Sequence, residues 1–249
     1  MNKYRLGLVS VSFRNHTPEN ILSAMRDAGL SVIEWGSDVH APAYDRKKLL
    51  EIAELQKKYG IECSSYGTYF EFGKNSLDEL PAYIEAAKIL GTDILRLWCG
   101  NKSGYNMTDG EREELFALCK AAAKVAEESG VTLCMERHEK SFTERGEDAL
   151  LLMNTVNSPS FRMYWQPALA LSPEENVELA KMLSPFTENI HVFNYHDGAR
   201  HTLFEVVDTW RAYLREFSTP RTLLMEFLPD NRLETLKTEA DALREMCCG

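Results

Sequence analysis

Short apolar runs recur along the chain at 5–11, 32–35, 61–66, 93–98, 131–136, 161–165, 189–193 and 222–226. Runs of this length bounded by polar or glycine residues predict buried strands. Between them, apolar positions return at helical spacing over 18–28, 45–59, 77–90, 111–129, 147–155, 173–183, 203–217 and 232–246. Thr17 and Pro18 supply a cap and a first-turn proline for the first helix. Gly29, Gly60, Gly91 and Gly130 stop the first four helices just ahead of the next strand. Strands separated by helices of this length pair in parallel through right-handed crossovers. Eight such units in 249 residues, about 31 residues each, predict an α/β fold: one (β/α)₈ TIM barrel spanning 1–249. The rival, an open doubly wound sheet that binds a nucleotide, would often carry a glycine-rich phosphate turn after its first strand. Here that stretch reads Ser10-Val11-Ser12-Phe13-Arg14-Asn15-His16, with neither a GxGxxG nor a Walker pattern.

Chemistry in such a barrel sits at the C-terminal ends of the strands, where alternation separates inward from outward side chains. At 131–136 the large apolar set Val131, Leu133 and Met135 points to the helices, which turns Thr132, Cys134 and Glu136 inward. At 222–227 Leu223, Met225 and Phe227 point outward and Thr222, Leu224 and Glu226 inward. Two glutamates thus end the fifth and eighth predicted strands with the same parity. A carboxylate at such a place is seldom structural unless a cation pairs with it. The same reading turns Arg96, Trp98, Arg162, Tyr164, Gln166, His191 and Phe193 inward, with His138 beside the mouth. It sends Trp35 and Trp165 to the helix side as core, and leaves Trp210 as helix packing. His16, His40 and His201 read as isolated loop or cap residues. His196 and Asp197 follow the seventh strand on a loop, as a substrate contact or as turn-building polar residues.

Composition narrows the setting. The chain has 28 Lys and Arg against 38 Asp and Glu, a net charge of −10, which opposes binding to nucleic acid backbones. No run approaches the ~20 apolar residues of a membrane span, and the N-terminal segment lacks the long apolar region of a signal peptide. The six cysteines form no CxxC pair; they read as reduced thiols of a cytoplasmic protein, with Cys247 and Cys248 at a frayed end.

At these positions the sequence resembles the xylose isomerase-like TIM-barrel superfamily, and within it the sugar phosphate isomerase/epimerase group. That group includes ketose 3-epimerases, hydroxypyruvate isomerases and inosose dehydratases. The likeness extends over essentially the whole chain. It rests on LGLVSVSF, VIEWG, ILGTDILRLWCG, LCMERH, NIHVFNYHDG and LLMEF in that order. The resemblance implies a divalent cation (Mn²⁺, Mg²⁺, Co²⁺ or Zn²⁺) at the mouth, held by Glu136, Gln166, His191 and Glu226, with the two glutamates also acting as acid and base. Two departures stand out. Gln166 replaces an aspartate of the family, and so brings an amide oxygen without charge. The family's His-x-His becomes His191-Val192-Phe193. If His191 reaches the cation the site is complete; if Phe193 holds that place the cation is lost. Tyr66 and Trp98 end the third and fourth strands where the superfamily's three-zinc endonucleases carry histidines, which counts against DNA repair.

The activity so implied is isomerisation or epimerisation of a small sugar or polyol by proton transfer between two glutamates. A cation, or in its absence His191, His138 or Arg96, would stabilise the enediolate. Arg96, Trp98, His138, Tyr66 and His196 are the candidate substrate contacts. Arg137 and His138 read equally as rim residues that balance Glu136 and Glu139. The alternatives are a non-catalytic barrel that binds a sugar or metabolite, and a dehydratase or lyase on the same scaffold. A free sugar fits better than a phosphate ester, since no phosphate-cradling loop is evident. Barrels of this group often associate into homo-oligomers through helices or rim loops.

Overall fold

Helix ends and strand ends follow local chemistry. The computed structural model of the chain describes residues 4–219 and 221–247. Helix α1 (Pro18–Asp27) begins at Thr17, whose side chain accepts from Asn20 N. Helices α2 (Arg46–Tyr59), α3 (Leu80–Leu90) and α4 (Asp109–Ser129) end on left-handed Gly60, Gly91 and Gly130, whose N–H groups satisfy the last carbonyls. Helix α4 starts two residues earlier than its apolar pattern predicts. Thr108 and Glu111 cap each other reciprocally there. Ser172 and Glu175 do the same for α6 (Pro173–Leu183). The remaining helices are α5 (Gly146–Val156), α7 (Val207–Arg215) and α8 (Leu236–Met246). The predicted helix over 203–217 divides into a 3₁₀ turn, Leu203–Val206, and α7.

Eight parallel strands close the barrel. They are β1 (Arg5–Val9), β2 (Val32–Gly36), β3 (Glu62–Glu71), β4 (Ile94–Trp98), β5 (Thr132–Glu136), β6 (Phe161–Trp165), β7 (Thr187–Val192) and β10 (Thr222–Met225), in the order β1-β10-β7-β6-β5-β4-β3-β2. The remaining two, β8 (Tyr195–His196) and β9 (Ala199–Arg200), form an antiparallel hairpin on the loop after β7. Asp197 and Gly198 both take positive φ there, 50° and 73°, as a tight two-residue hairpin turn requires. The turn-building reading of Asp197 therefore holds.

The main apolar core lies between barrel and helices. Trp165 packs edge-on against Trp210, Tyr213 and Phe217, and Trp35 donates to Gln56 on α2 at 2.9 Å. Both tryptophans face the helices, as parity predicts. Inside the barrel a smaller cluster of Val9, Val11, Val32, Cys134, Tyr164 and Leu224 forms a plug. The Tyr164 hydroxyl donates to Ser65 Oγ at 2.5 Å and accepts from Asn189 Nδ2 at 2.6 Å, so the plug ends in satisfied polar groups beneath the mouth. The five described cysteines are free thiols, four of them buried, and Cys248 lies outside the described residues. Among the described residues no helix is long and apolar enough to cross a membrane.

Candidate active site

Five ionisable side chains meet above the interior plug. Arg96 projects from the middle of β4, where its Nε donates to Glu34 Oε1 of β2 at 2.8 Å and its Nη1 to Glu136 Oε2 at the end of β5. Trp98 Nε1 donates to the same Glu136 oxygen at 2.5 Å. His191 of β7 stands between the acids. Its Nε2 is 3.5 Å from Glu34 Oε2, and its Nδ1 is 3.3 Å from Glu136 Oε1 and 3.4 Å from Glu226 Oε2. Gln166, just after β6, donates from Nε2 to the Arg137 carbonyl at 2.7 Å. Its buried Oε1 has no hydrogen-bond partner among the described residues.

Mutual electrostatics set the protonation of this group. Burial pushes the Glu34 carboxyl up, but Arg96 and His191 outweigh it and bring the pKa down to about 2. Burial likewise opposes ionisation of Glu136, and Arg96 and His191 hold it well below the usual carboxylate range. Glu226 differs. Burial and the neighbouring Glu136 raise its pKa although His191 opposes them. Burial disfavours protonated His191, but Glu226, Glu34 and Glu136 together raise its pKa to about 10.

The donor set fits a divalent cation. Two ligands each about 2.1 Å from one ion lie roughly 3.0–3.4 Å apart at octahedral or tetrahedral angles. The distances from His191 Nδ1 to the two glutamate oxygens match that spacing, and the ligand atoms of Glu136, His191 and Glu226 all lie within 4.8 Å of one another. Neither His191 nitrogen is in hydrogen-bond geometry, and the orphaned Gln166 Oε1 adds a hard oxygen donor. Glu34 Oε2, 3.5 Å from Nε2, stands on the side where an outer carboxylate would orient a metal-bound histidine. Phe193 lines the cavity wall, while His191 is the residue that joins the two carboxylates.

Above the centre opens a cavity of about 430 Å³, lined among others by Tyr69, Trp98, His138, Phe193 and Phe227. The Trp98 ring meets Tyr69 edge-on at 5.2 Å and His138 at 5.5 Å. Of the candidate substrate contacts, Trp98 and His138 line this cavity. Arg96 also reaches it, but its guanidinium is engaged by Glu34 and Glu136, so it holds the carboxylates in place. Arg137 is spent on the carbonyls of Gln166, Glu144 and Pro167.

Three expectations need correction. Tyr66 faces the helices: its hydroxyl donates to the Ala41 carbonyl at 2.6 Å and the residue is wholly buried, because Ser65 and Gly67 are the inward residues of β3. Tyr69 takes the place expected for it. His196 points away from the cavity. In the hairpin Tyr195 pairs with Arg200 and His196 with Ala199, and paired residues share a face. Tyr195 and Arg200 line the cavity, whereas His196 stacks on His201 at 3.6 Å. Phe227 also departs from the strand alternation. β10 ends at Met225, and a φ of 55° turns the Phe227 ring into the cavity wall. Arg14, Tyr69 and Arg200, which line the cavity, and Glu34, which meets Arg96 and His191, belong to this candidate site, and parity reasoning left them out. For Glu34 the signal was present, since an outward Trp35 in VIEWG makes its neighbour point inward.

A parallel eight-stranded barrel with a carboxylate–histidine centre at the C-terminal ends of its strands defines a recognisable class. The chain belongs to the xylose isomerase-like TIM barrel family, whose model matches residues 22–219. Among solved structures it resembles AsbF of Bacillus anthracis, described as a probable 3-DHS dehydratase of petrobactin synthesis, at TM-score 0.80 and 18% identity over 97% of this chain and 98% of that one. It also resembles the IolI protein with a bound zinc atom, at TM-score 0.74 and 16% identity over 97% and 96%. The D-psicose 3-epimerase of Clostridium cellulolyticum H10, solved with D-tagatose, matches at TM-score 0.71 and 13% identity over 96% and 97%. No curated protein sequence matches the chain.

Proposed function

We propose that this barrel is an isomerase or epimerase of a small sugar or polyol, with Glu136 and Glu226 as its proton-transfer groups. The observation behind this reading is the convergence of both carboxylates on one imidazole nitrogen, at 3.3 and 3.4 Å, from strands separated by β6 and β7. A substrate carbon seated in the cavity above them is approached by two carboxyl groups from different sides. Glu136, held anionic by Arg96 and Trp98, accepts the proton next to the carbonyl. Glu226, whose pKa burial and the neighbouring Glu136 raise, returns a proton to the same or the adjacent carbon. A divalent cation held by Glu136, Gln166, His191 and Glu226 would supply the Lewis acid that such an enediolate needs. Trp98 and Phe193 offer apolar faces to the sugar ring or chain and exclude water from the reacting carbon.

The test is uptake of deuterium from D₂O into D-fructose, D-tagatose and D-psicose, followed by NMR with Mn²⁺ or Co²⁺ present. Exchange next to the carbonyl is expected, with loss of at least about 100-fold in Glu136→Gln and Glu226→Gln. No exchange by the metal-loaded protein on any ketose would remove the reading. A dehydration is the second reading, in which Glu226, its pKa raised by burial and by Glu136, protonates the departing hydroxyl. AsbF, similar in fold, is described as a probable dehydratase. Loss of water from the product, read by mass spectrometry, separates the two.

A further inference from the structure

Two arginines at the cavity mouth take no part in the carboxylate centre. Arg200, on β9, lies over the Phe227 ring with its guanidinium carbon 4.5 Å from the centroid, and its Nη1 donates to Asn231 Oδ1 at 2.8 Å. No acidic side chain among the described residues pairs with it. Arg14, after β1, donates from Nε to Asp38 Oδ2 at 2.6 Å and from Nη2 to the Tyr69 hydroxyl at 2.7 Å. Because that hydroxyl oxygen accepts from Arg14, its own proton is free to donate into the cavity that Tyr69 lines. Ser12 Oγ accepts from Phe227 N at 3.1 Å, which draws the Arg14 turn and the ring beneath Arg200 to one side of the mouth.

The backbone is strained around the same two side chains. Six non-glycine residues among those described have a left-handed φ. Four of them serve this arrangement: Tyr69 (56°), which receives Arg14; Asp197 (50°), in the turn that carries Arg200; Phe227 (55°), beneath Arg200; and Asn231 (53°), which holds it. Such conformations persist where the surroundings over-determine them, and they cluster at ligand clamps. A polyol hydroxyl can accept from a half-buried guanidinium but does not balance its charge, whereas the planar fork of arginine matches carboxylate and phosphate oxygens and their charge.

We propose that Arg200, with Arg14 and Tyr69, forms an anion subsite, so that the substrate carries a carboxylate or a phosphate at the end remote from the carbon between Glu136 and Glu226. This names the substrate class of the isomerase site proposed above and rests on that reading. It also reverses the expectation that a free sugar fits best.

Calorimetric titration of the full chain, freed of metal with EDTA, with D-fructose, D-fructose 6-phosphate and D-fructuronate tests it. At least one anion is expected to bind about tenfold or more tightly than D-fructose, with a preference that shrinks at high salt. Whichever anion leads identifies phosphate or carboxylate as the group recognised. In Arg200→Met the anion-to-neutral ratio should fall towards one, Arg200→Lys should recover part of it, and Arg14→Met should lower it independently. Circular dichroism establishes that each variant is folded. Equal binding of all three sugars, no binding of either anion, or a full preference in folded Arg200→Met would overturn the proposal. Anion preference without deuterium exchange at any carbon would keep the subsite and remove the isomerase reading. Exchange on D-fructose without anion preference would do the reverse.

Discussion

Gly67 gives Arg96 its place. A β-carbon built there would stand 2.7 Å from Arg96 Nη2 and 2.9 Å from Glu34 Oε1. The guanidinium cannot swing aside cheaply, because Glu34 and Glu136 hold it from two directions inside the barrel. Gly67→Ala should therefore destabilise the fold by about 1–3 kcal/mol, read from the urea midpoint, and should also depress exchange activity by loosening Glu136. An unchanged midpoint with full activity would mean that the network repacks freely. The residues of this network were unequally legible. Glu136, His191 and Glu226 followed from alternation, because each sits where a regular strand meets the mouth. Glu34 obeys the same rule, but it stands in mid-strand, where a carboxylate draws attention only once its partner Arg96 is known. Tyr66 was misplaced for a different reason. β3 runs to Glu71 and the β2–β3 register shifts between Ile33 and Glu34, and register depends on pairing with a neighbour far along the chain.

At the scale of elements, caps and glycine stops located most helices, since they are chemistry of adjacent residues. Pro173–Leu183 matches its predicted bounds, and so does the strand Phe161–Trp165. Helix α4 starts at Asp109 and not at 111 because Thr108 Oγ1 accepts from Glu111 N at 3.3 Å while Glu111 Oε2 accepts from Thr108 N at 2.9 Å. The apolar period does not report this polar turn, although the Thr-x-x-Glu spacing does. Thr108→Ala should cost about 1 kcal/mol of stability, measured as a lowered thermal midpoint, with the carboxylate centre and its activity intact. A change in activity at equal stability would show that the turn before α4 has a role in the site. The β8–β9 hairpin had a visible Asp-Gly turn but no apolar alternation beside it. Its strands are two residues each and exposed or half-buried, so no hydrophobic pattern could announce them.

Over the whole molecule, eight strand–helix units were readable because the alternation of buried strand and amphipathic helix repeats throughout the chain. The distribution of charge was not readable, since it arises only on folding. A chain of net charge −10 brings four arginines, Arg14, Arg96, Arg137 and Arg200, to the walls of one cavity that Glu136, Glu139 and Glu226 also line. The candidate metal donors come from β5, from the end of β6, from β7 and from the end of β10, which are four consecutive staves of the closed barrel. A cation bound there would tie half of the barrel wall together and would stabilise the folded state by mass action, by about 2.7 kcal/mol at a free concentration 100 times its dissociation constant. Mn²⁺ or Co²⁺ added to EDTA-treated protein should therefore raise the thermal midpoint, in proportion to the logarithm of concentration once the site is filled. Co²⁺ should also show visible absorption typical of nitrogen and oxygen ligands. Glu226→Gln should weaken both effects, because an amide contributes less to a hard cation than a carboxylate does. Gln166→Asp should strengthen them by restoring a charged donor beside Glu136. Equal midpoints with and without Mn²⁺, Mg²⁺, Co²⁺ and Zn²⁺ would leave Arg96 and protonated His191 as the only cations of the centre, and the enediolate would then have to be stabilised by those two side chains alone.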